Sequence, residues 1–399
     1  MRTKDGRALI VGCGIAGPVV AMALQRAGLE PVIYEAQSGP MDEAGAFLNL
    51  APNGVNALKA LGLDEPVRAA GFSSAGIAFW NGGGRRIGVM ENGPEEQRYG
   101  AATTVIKRGV LHRVLRDEAL RRGIRVETGR KLESFDSGDS GVVARFTDGS
   151  EARGDFLLGC DGVGSRTRQL LLPGARGPAY TGLVGWGGFS RYPVPPSPGG
   201  MMQMTFGRRA FFGYCVAPSG EVYWFSNEPQ SQEPARGSLK SVPTEVWKQR
   251  LLELHADDPA PIPEIIRATE GGIGCYPIHD IPFLPTWHRG RVCLVGDAAH
   301  ATSPHAGQGA SMAMEDALVL ARCLRDLPEP EEAFARYQSL RKARVEKLTR
   351  AARRTGNTKA AGPVASWFRD RLLPLFIKRA AEANAWVYAY RVDWEVSAA

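Results

Sequence analysis

Cysteine is scarce and scattered, with six residues (Cys13, Cys160, Cys215, Cys275, Cys293, Cys323) in 399 and no Cys-x-x-Cys pair. That argues against a structural zinc site and a disulfide framework, and points to a reducing, cytoplasmic setting. A dominant charge is also missing. The 49 basic and 42 acidic side chains leave a net +7, less lopsided than a nucleic-acid binder, and the basic stretch Arg336 to Lys359 reads as a solvated helix face. Gly (48) and Pro (27) stay short of low complexity, and no internal repeat occurs. With 44% hydrophobic and 23% charged residues, disorder, collagen and coiled coil are excluded, and a chain of this length implies roughly two or three domains.

Long apolar runs are missing too, apart from the uncharged stretch Ala8 to Gln25 that follows Arg2, Lys4 and Arg7. A leader or membrane span has that outline. Gly12, Gly14, Gly17 and Pro18 interrupt it and Asp5 sits in the basic leader, so strand, turn and helix fit better than a continuous apolar helix. The expectation is a soluble chain without stable membrane insertion.

What is present begins there. Ala8 to Val11 is a short apolar strand, Val19, Val20, Ala23, Leu24 and Ala27 return at helical spacing before Gly28, and a second strand runs from Pro31 to Tyr34. This β-turn-α-β unit opens a parallel doubly wound sheet. Its turn, Gly12-Cys13-Gly14-Ile15-Ala16-Gly17, suits a dinucleotide. Gly12 permits the tight turn, Gly14 admits a pyrophosphate, Gly17 lets helix pack on strand, and the helix start at Ile15 and Ala16 offers free N–H groups to phosphate. Glu35, followed by Ala36, ends the second strand where a carboxylate meets ribose hydroxyls. On these residues the dinucleotide is NAD or FAD.

Further along, Leu111, Leu115 and Leu120 suggest a helix, and Val142 to Phe146 with Phe156 to Leu158 read as strands around the Asp148-Gly149 turn. From about Gly177 to Pro285 the chain turns to Trp, Tyr, Phe, Val and Gly, the pattern of a β-rich layer. Val292 to Val295 reads as a buried strand and Gly309 to Arg325 as a helix; beyond Glu331 the chain reads as mostly helical, broken at Gly362-Pro363 and Pro374. The organisation expected is a first dinucleotide-binding segment over 1–176, which includes some substrate-side pieces, a β-rich substrate domain over 177–285, a second dinucleotide-binding segment over 286–355 and a helical C-terminal segment over 356–399.

Two later motifs choose between the dinucleotides. Leu157-Leu158-Gly159-Cys160-Asp161-Gly162 with Ser165-Arg166, and Leu294-Val295-Gly296-Asp297-Ala298-Ala299-His300, resemble the DG and GD motifs of class A flavoprotein monooxygenases, the single-component aromatic hydroxylases. The likeness extends through Ser303-Pro304-His305-Ala306-Gly307-Gln308-Gly309, Met314-Glu315-Asp316-Ala317, Pro52-Asn53 and Ile106-Lys107-Arg108-Gly109-Val110-Leu111, in order over roughly residues 8–345. The resemblance implies the p-hydroxybenzoate hydroxylase fold: an α/β, Rossmann-like FAD-binding domain with an inserted β-sheet substrate domain and a helical C terminus.

Physically, Gly296 lets a flavin chain approach and Asp297 can accept from ribityl hydroxyls. The loop from Pro304 through Gly307 runs into a helix whose first N–H groups, on Gly309, Ala310 and Ser311, would stabilise negative charge on a reduced flavin. The resemblance further implies noncovalent FAD, with Pro304 beside the flavin edge where oxygen reacts, Arg108 against the flavin chain, and Asp161 and Gly162 toward FAD and NAD(P)H; a turn-forming role for Asp161 stays open. No second GxGxxG follows a strand, so NAD(P)H is expected as a transient electron donor. In the family the reduced flavin takes O2 to a C4a-hydroperoxide, which hydroxylates a phenol, enol or electron-rich heteroaromatic.

The β-rich segment is expected to floor the pocket, with Trp186, Met202, Met204, Phe212, Tyr214, Tyr223 and Trp224 as candidates. Tyr214 or Tyr223 could hydrogen-bond a substrate phenolate and help deprotonate it, and His305 is the acid/base candidate. Phe47, and Trp186-Gly187-Gly188 where relatives carry Trp-Arg, both remove polarity. The substrate expected is therefore larger, flatter or neutral, such as a natural-product aromatic, rather than a small anionic benzoate. The aromatic C-terminal stretch (Trp367, Phe368, Leu372, Leu373, Leu375, Phe376, Ile377, Trp386, Tyr388, Tyr390, Trp394) suggests packing over the FAD domain, a dimer contact or a membrane-surface helix, and the chain is expected as a monomer or homodimer. Rival readings are another FAD oxidoreductase on the same scaffold, a reductase or halogenase, and a binding protein without turnover. The halogenase signature Trp-x-Trp-x-Ile-Pro is not found in the sequence.

Overall fold

Apolar runs without polar alternation demand burial on both faces, and here they lie side by side. In the computed structural model, which describes residues 6–39, 47–235, 237–239, 242–304, 307–357, 370–372, 382 and 385–398, strand Arg7–Val11 pairs in parallel with Glu30–Tyr34 and Phe156–Gly159. The sheet has six strands, ordered His288–Arg289, Val292–Leu294, Phe156–Gly159, Arg7–Val11, Glu30–Tyr34 and Arg125–Glu127. Only the edge strand His288–Arg289 runs antiparallel to its neighbour. Leu9, Ile10, Leu157, Leu158 and Cys293 are wholly buried at its centre.

Helix Ala16–Arg26 packs against helices Gly309–Asp326 and Arg108–Arg121. A three-stranded antiparallel sheet, Leu132–Gly138, Gly141–Phe146 and Glu151–Gly154, meets the six-stranded one, with the Phe146 ring stacked 4.9 Å from Tyr34. The long helix Pro330–Asn357 lies along Gly309–Asp326.

A separate seven-stranded sheet is ordered Gly274–Asp280, Ala179–Ser190, Val222–Pro229, Phe211–Val216, Met202–Phe206, Gly76–Asn81 and Arg86–Glu91. Its last two strands come from the first segment of the chain. Helices Thr244–Leu254 and Ile262–Arg267 cover its outer face. Its inner face meets a small sheet of Phe47–Leu50, Thr104–Lys107 and Phe72–Ser73.

The described C-terminal residues bind helices Ala16–Arg26, Gly309–Asp326 and Pro330–Asn357. The Trp394 ring lies between Arg26 and Arg325, 4.6 and 4.9 Å from its centroid, and Trp386 lies under Lys347 at 3.9 Å. Gly362-Pro363, Trp367, Phe368, Leu373, Pro374, Leu375, Phe376 and Ile377 fall outside the described residues. Among the described residues no helix is long and apolar enough to cross a membrane.

Candidate active site

The first turn is built by what it cannot hold. A Cβ on Gly12, whose φ is +104°, would stand 2.6 Å from the Cys160 carbonyl oxygen, and one on Gly17 would stand 2.0 Å from the Gly12 carbonyl oxygen. Both positions require glycine. At Gly14 nothing lies within 4 Å of that Cβ position, leaving open approach for a phosphate. Helix Ala16–Arg26 starts beyond Ile15 with no side-chain cap and no acidic residue in its first turn, so its free N–H groups and positive end face that opening. Glu35 closes the other side, accepting the Cys13 N–H at 2.7 Å and the Gln37 N–H at 2.8 Å. Each oxygen retains a lone pair for a ribose hydroxyl, and Ala36 beside it is exposed.

The second turn faces the first. A Cβ on Gly296, whose φ is +60°, would stand 3.5 Å from the Ala16 Cβ and 3.0 Å from the Ala313 Cβ. Asp297 begins the next helical turn, crowded by protein yet open to the cleft. Desolvation raises its pKa, with Asp316 adding to the rise and His300 and Arg108 opposing it. Arg108, exposed at the start of its helix, therefore shares this cleft with Asp297.

Helix Gly309–Asp326 aims an uncapped N terminus at the same place. Gln308 gives it no side-chain cap and no acid lies in its first turn. The Gln308 amide oxygen instead accepts from Asn53 Nδ2 at 2.9 Å. Ser311 Oγ, Asn53 Oδ1, Asn49 Oδ1 and Thr302 Oγ1 are buried without a partner. Buried polar atoms are rarely left unpaired, and an uncapped helix end among such atoms fits a ligand bearing carbonyls and hydroxyls, as a flavin and its ribityl chain do. Gly307, with φ +59°, donates its N–H to the Pro304 carbonyl at 2.9 Å, and Pro304 is exposed at the mouth. Ala310 follows in the helix's first turn. His305 and Ala306 lie outside the described residues.

Asp161 plays the turn-forming part. Its carboxylate accepts Ser165 Oγ at 2.6 Å, the Thr167 N–H at 2.9 Å and Thr167 Oγ1 at 3.0 Å, capping the start of helix Arg166–Leu171. Gly162 beside it has φ +74° and open space around it. From that helix the buried Arg168 donates to the Ala298 carbonyl at 2.9 Å, tying the DG and GD segments together.

The expected pocket floor divides by face. Met202, Met204, Cys215, Tyr223 and Phe225 cluster with Phe47, Phe72, Ile77 and Val105 on the inner face, and the Phe47 ring lies 5.6 Å from that of Tyr223. Burial, with Glu221 adding, pushes the Tyr223 phenol up to about 12, so at neutral pH it is protonated and can serve as a hydrogen-bond donor, not as a base.

Trp186, Phe212, Tyr214 and Trp224 point the other way, a correction to the expectation that they line the substrate. Side chains alternate along a strand, which puts these four on the outer face. Trp186 packs edge-on against Trp247 at 4.9 Å, Phe212 stacks on Trp224 at 5.6 Å, and Tyr214 joins the same cluster. Tyr214 there lines an outer cavity of about 420 Å³ with Tyr192, Pro195 and Gln203.

Tyr276 was missed. Its ring lies against Gly185, where a Cβ would come within 3.0 Å, and it is 41% exposed while sensing the Arg108 charge. No motif marks it; only the absence of a side chain at Gly185 hints at a ring lying there. Lys107, inside a quoted motif yet not singled out, pairs with Glu221 at 2.7 Å and lies 4.2 Å from the Phe189 ring centroid. Among the described residues, no group of His, Cys, Asp and Glu is arranged to hold a metal ion.

Comparison with known proteins bears on what fills this cleft. A family described as FAD binding domain matches residues 5–352. The chain is 33% identical over 385 residues to an aurachin C monooxygenase/isomerase of Stigmatella aurantiaca, covering 94% of this chain and 96% of that one. It is also 33% identical over 395 residues to a 3-amino-4-hydroxybenzoate 2-monooxygenase of Streptomyces platensis, covering 96% of each. Among solved structures, HpxO of Klebsiella pneumoniae, complexed with FAD and uric acid, superposes with a TM-score of 0.86 at 26% identity, covering 96% of each chain.

Proposed function

As this chain belongs to the FAD-binding-domain family, among class A flavin-dependent aromatic monooxygenases of the p-hydroxybenzoate hydroxylase fold, we propose that it hydroxylates a flat, neutral aromatic or enolic small molecule with electrons from NAD(P)H. One oxygen atom of O2 enters the product and the other leaves as water. Bound FAD supplies the oxygen-activating chemistry; the protein supplies binding, orientation and a dry site. The observations that carry this reading are an uncapped helix end with unpaired buried oxygens on Ser311 and Asn53, and a β-rich sheet that turns an aromatic and methionine face inward.

In this reading each residue has a part. The turn at Gly12–Gly17 and the helix behind it take the pyrophosphate, Glu35 the ribose and Asp297 the ribityl hydroxyls. The N–H groups of Gly309, Ala310 and Ser311 would offset negative charge on a flavin bound at this helix end. Pro304 keeps the mouth rigid, and His305, next in the sequence, is the acid/base candidate. Tyr223 donates to a substrate oxygen, while Phe47, Met202 and Met204 exclude water. Lys107, 5.2 Å from the Tyr223 ring centroid, is neutralised by Glu221, which disfavours a benzoate. Six free cysteines suit a cytoplasmic home.

Substrate-stimulated NAD(P)H oxidation and binding titrations test this together. Bicyclic phenols should bind more tightly than hydroxybenzoates by about tenfold or more. A preference for hydroxybenzoate would overturn the substrate class, and absence of NAD(P)H oxidation with every bound aromatic would overturn the activity.

A further inference from the structure

Behind the flavin cleft lies a buried set of charges to which the roles above give no part. Glu315 and Asp316 sit about two turns into helix Gly309–Asp326 and are wholly buried. Arg341, equally buried on helix Pro330–Asn357, joins them: Nη1 stands 2.6 Å from Glu315 Oε2, and Nε donates to Asp316 Oδ1 at 2.7 Å. Arg344 donates to both Glu315 oxygens at 2.8 and 2.9 Å, with its guanidinium 4.0 Å from the Tyr390 ring centroid.

The remaining acceptor capacity is directed at the cleft. Asp316 Oδ2 lies 2.6 Å from His300 Nε2 and accepts the Gly296 N–H at 3.2 Å. Glu315 Oε1 accepts Asn53 Nδ2 at 2.7 Å, and the same amide nitrogen donates to Gln308 at 2.9 Å. One carboxylate therefore fixes the turn that presents Asp297. The other fixes the residue preceding the uncapped helix end.

We propose that Glu315, Asp316, Arg341 and Arg344 are positioning residues that set the reduction potential of the bound flavin. The proposal rests on the FAD-binding reading above. The two carboxylates and two guanidinium groups cancel in formal charge, so the positive helix end meets the flavin undiminished. Glu315 lies about 9 Å along the axis from Gly309 at 1.5 Å per residue, and charge acts over that distance in a dry interior with little screening. Removing a cation leaves surplus negative charge behind the helix end and disfavours electron uptake; removing a carboxylate favours it.

The test measures FAD dissociation by flavin fluorescence and the midpoint potential by dye-coupled reduction, in the full chain loaded with FAD. Arg341→Gln should lower the potential and weaken FAD binding about tenfold, whereas Glu315→Gln should raise the potential. Arg341→Lys, which keeps the charge and loses the fork, should keep the wild-type potential while binding FAD less tightly. Should Arg341→Gln fail to fold, Arg344→Gln, whose side chain is 9% exposed, should lower the potential in its place. Shifts of the same sign in the arginine and glutamate variants, or no shift with stability alone reduced, would overturn the proposal. A wild-type chain that takes up no FAD would instead refute the reading beneath it.

Discussion

Tyr214 and Tyr223 look interchangeable in the sequence, two tyrosines in neighbouring β-rich runs, yet they lie on opposite faces of one sheet. Strand register separates them: Tyr214 pairs with Trp224 and Cys215 with Tyr223, so each tyrosine shares a face with its own partner rather than with the other. Tyr223 reaches Phe47 and Phe72, with ring centroids 5.6 Å away in both cases. Its phenol is held up to about 12 by burial and by Glu221, so it stays protonated throughout the working range. Tyr223→Phe should therefore lower kcat about tenfold through a lost hydrogen bond, and leave the pH dependence of kcat between about 6 and 9 unchanged. A Tyr223-dependent ionisation in that window would place the phenol in a different role. The glycines were the most legible residues, because Gly17 is fixed by the Gly12 carbonyl within its own turn and Gly12 by a φ of +104°, with the Cys160 carbonyl adding a contact from the DG segment. The side-chain oxygens of Asn49, Asn53 and Ser311 gave little signal, since an unpaired buried oxygen becomes visible only when its surroundings are known.

Among the elements, the parallel strands and helix Gly309–Asp326 could be read from the sequence because apolar runs and glycine turns specify them locally. The composition of the seven-stranded sheet could not. Gly76–Asn81 joins it through a parallel pairing with Met202–Phe206, a long-range contact that no local pattern announces. The outer layer also holds a buried array, in which Ser226 Oγ lies 2.9 Å from His255 Nε2 and His255 Nδ1 lies 2.7 Å from Asp258. It has the outline of a hydrolytic triad, but all three residues are buried and no substrate can reach them; the array ties the end of helix Thr244–Leu254 to the sheet. Because the outer face is scaffold, Phe212→Ala should cost about 3–5 kcal/mol of stability in denaturant unfolding. The affinity of the folded variant for substrate should match the wild type. Substrate affinity lost in proportion to stability, or lost alone, would return Phe212 to the pocket.

For the whole molecule, motif order rather than composition revealed the fold. The dinucleotide turn, the DG segment and the GD segment are far apart in sequence and converge because strands Arg7–Val11, Phe156–Gly159 and Val292–Leu294 are adjacent in one sheet. The likeness seen over roughly residues 8–345 agrees with the family match over 5–352. Of the C-terminal aromatics, Trp386, Tyr388 and Trp394 pack on the FAD side, held there by Arg and Lys side chains, one of the alternatives the sequence left open; Trp367, Phe368, Leu373, Leu375, Phe376 and Ile377 lie outside the described residues. Substrate identity was least legible, because an apolar inner face excludes charge without naming a shape. The measurement that reaches furthest supplies the FAD-loaded chain with NAD(P)H, isotopically labelled O2 and a panel of bicyclic phenols and enols, then weighs the products. A monooxygenase should give a product heavier by one labelled oxygen atom, formed only when both NAD(P)H and the substrate are present. NAD(P)H consumed with every aromatic recovered unlabelled would contradict it.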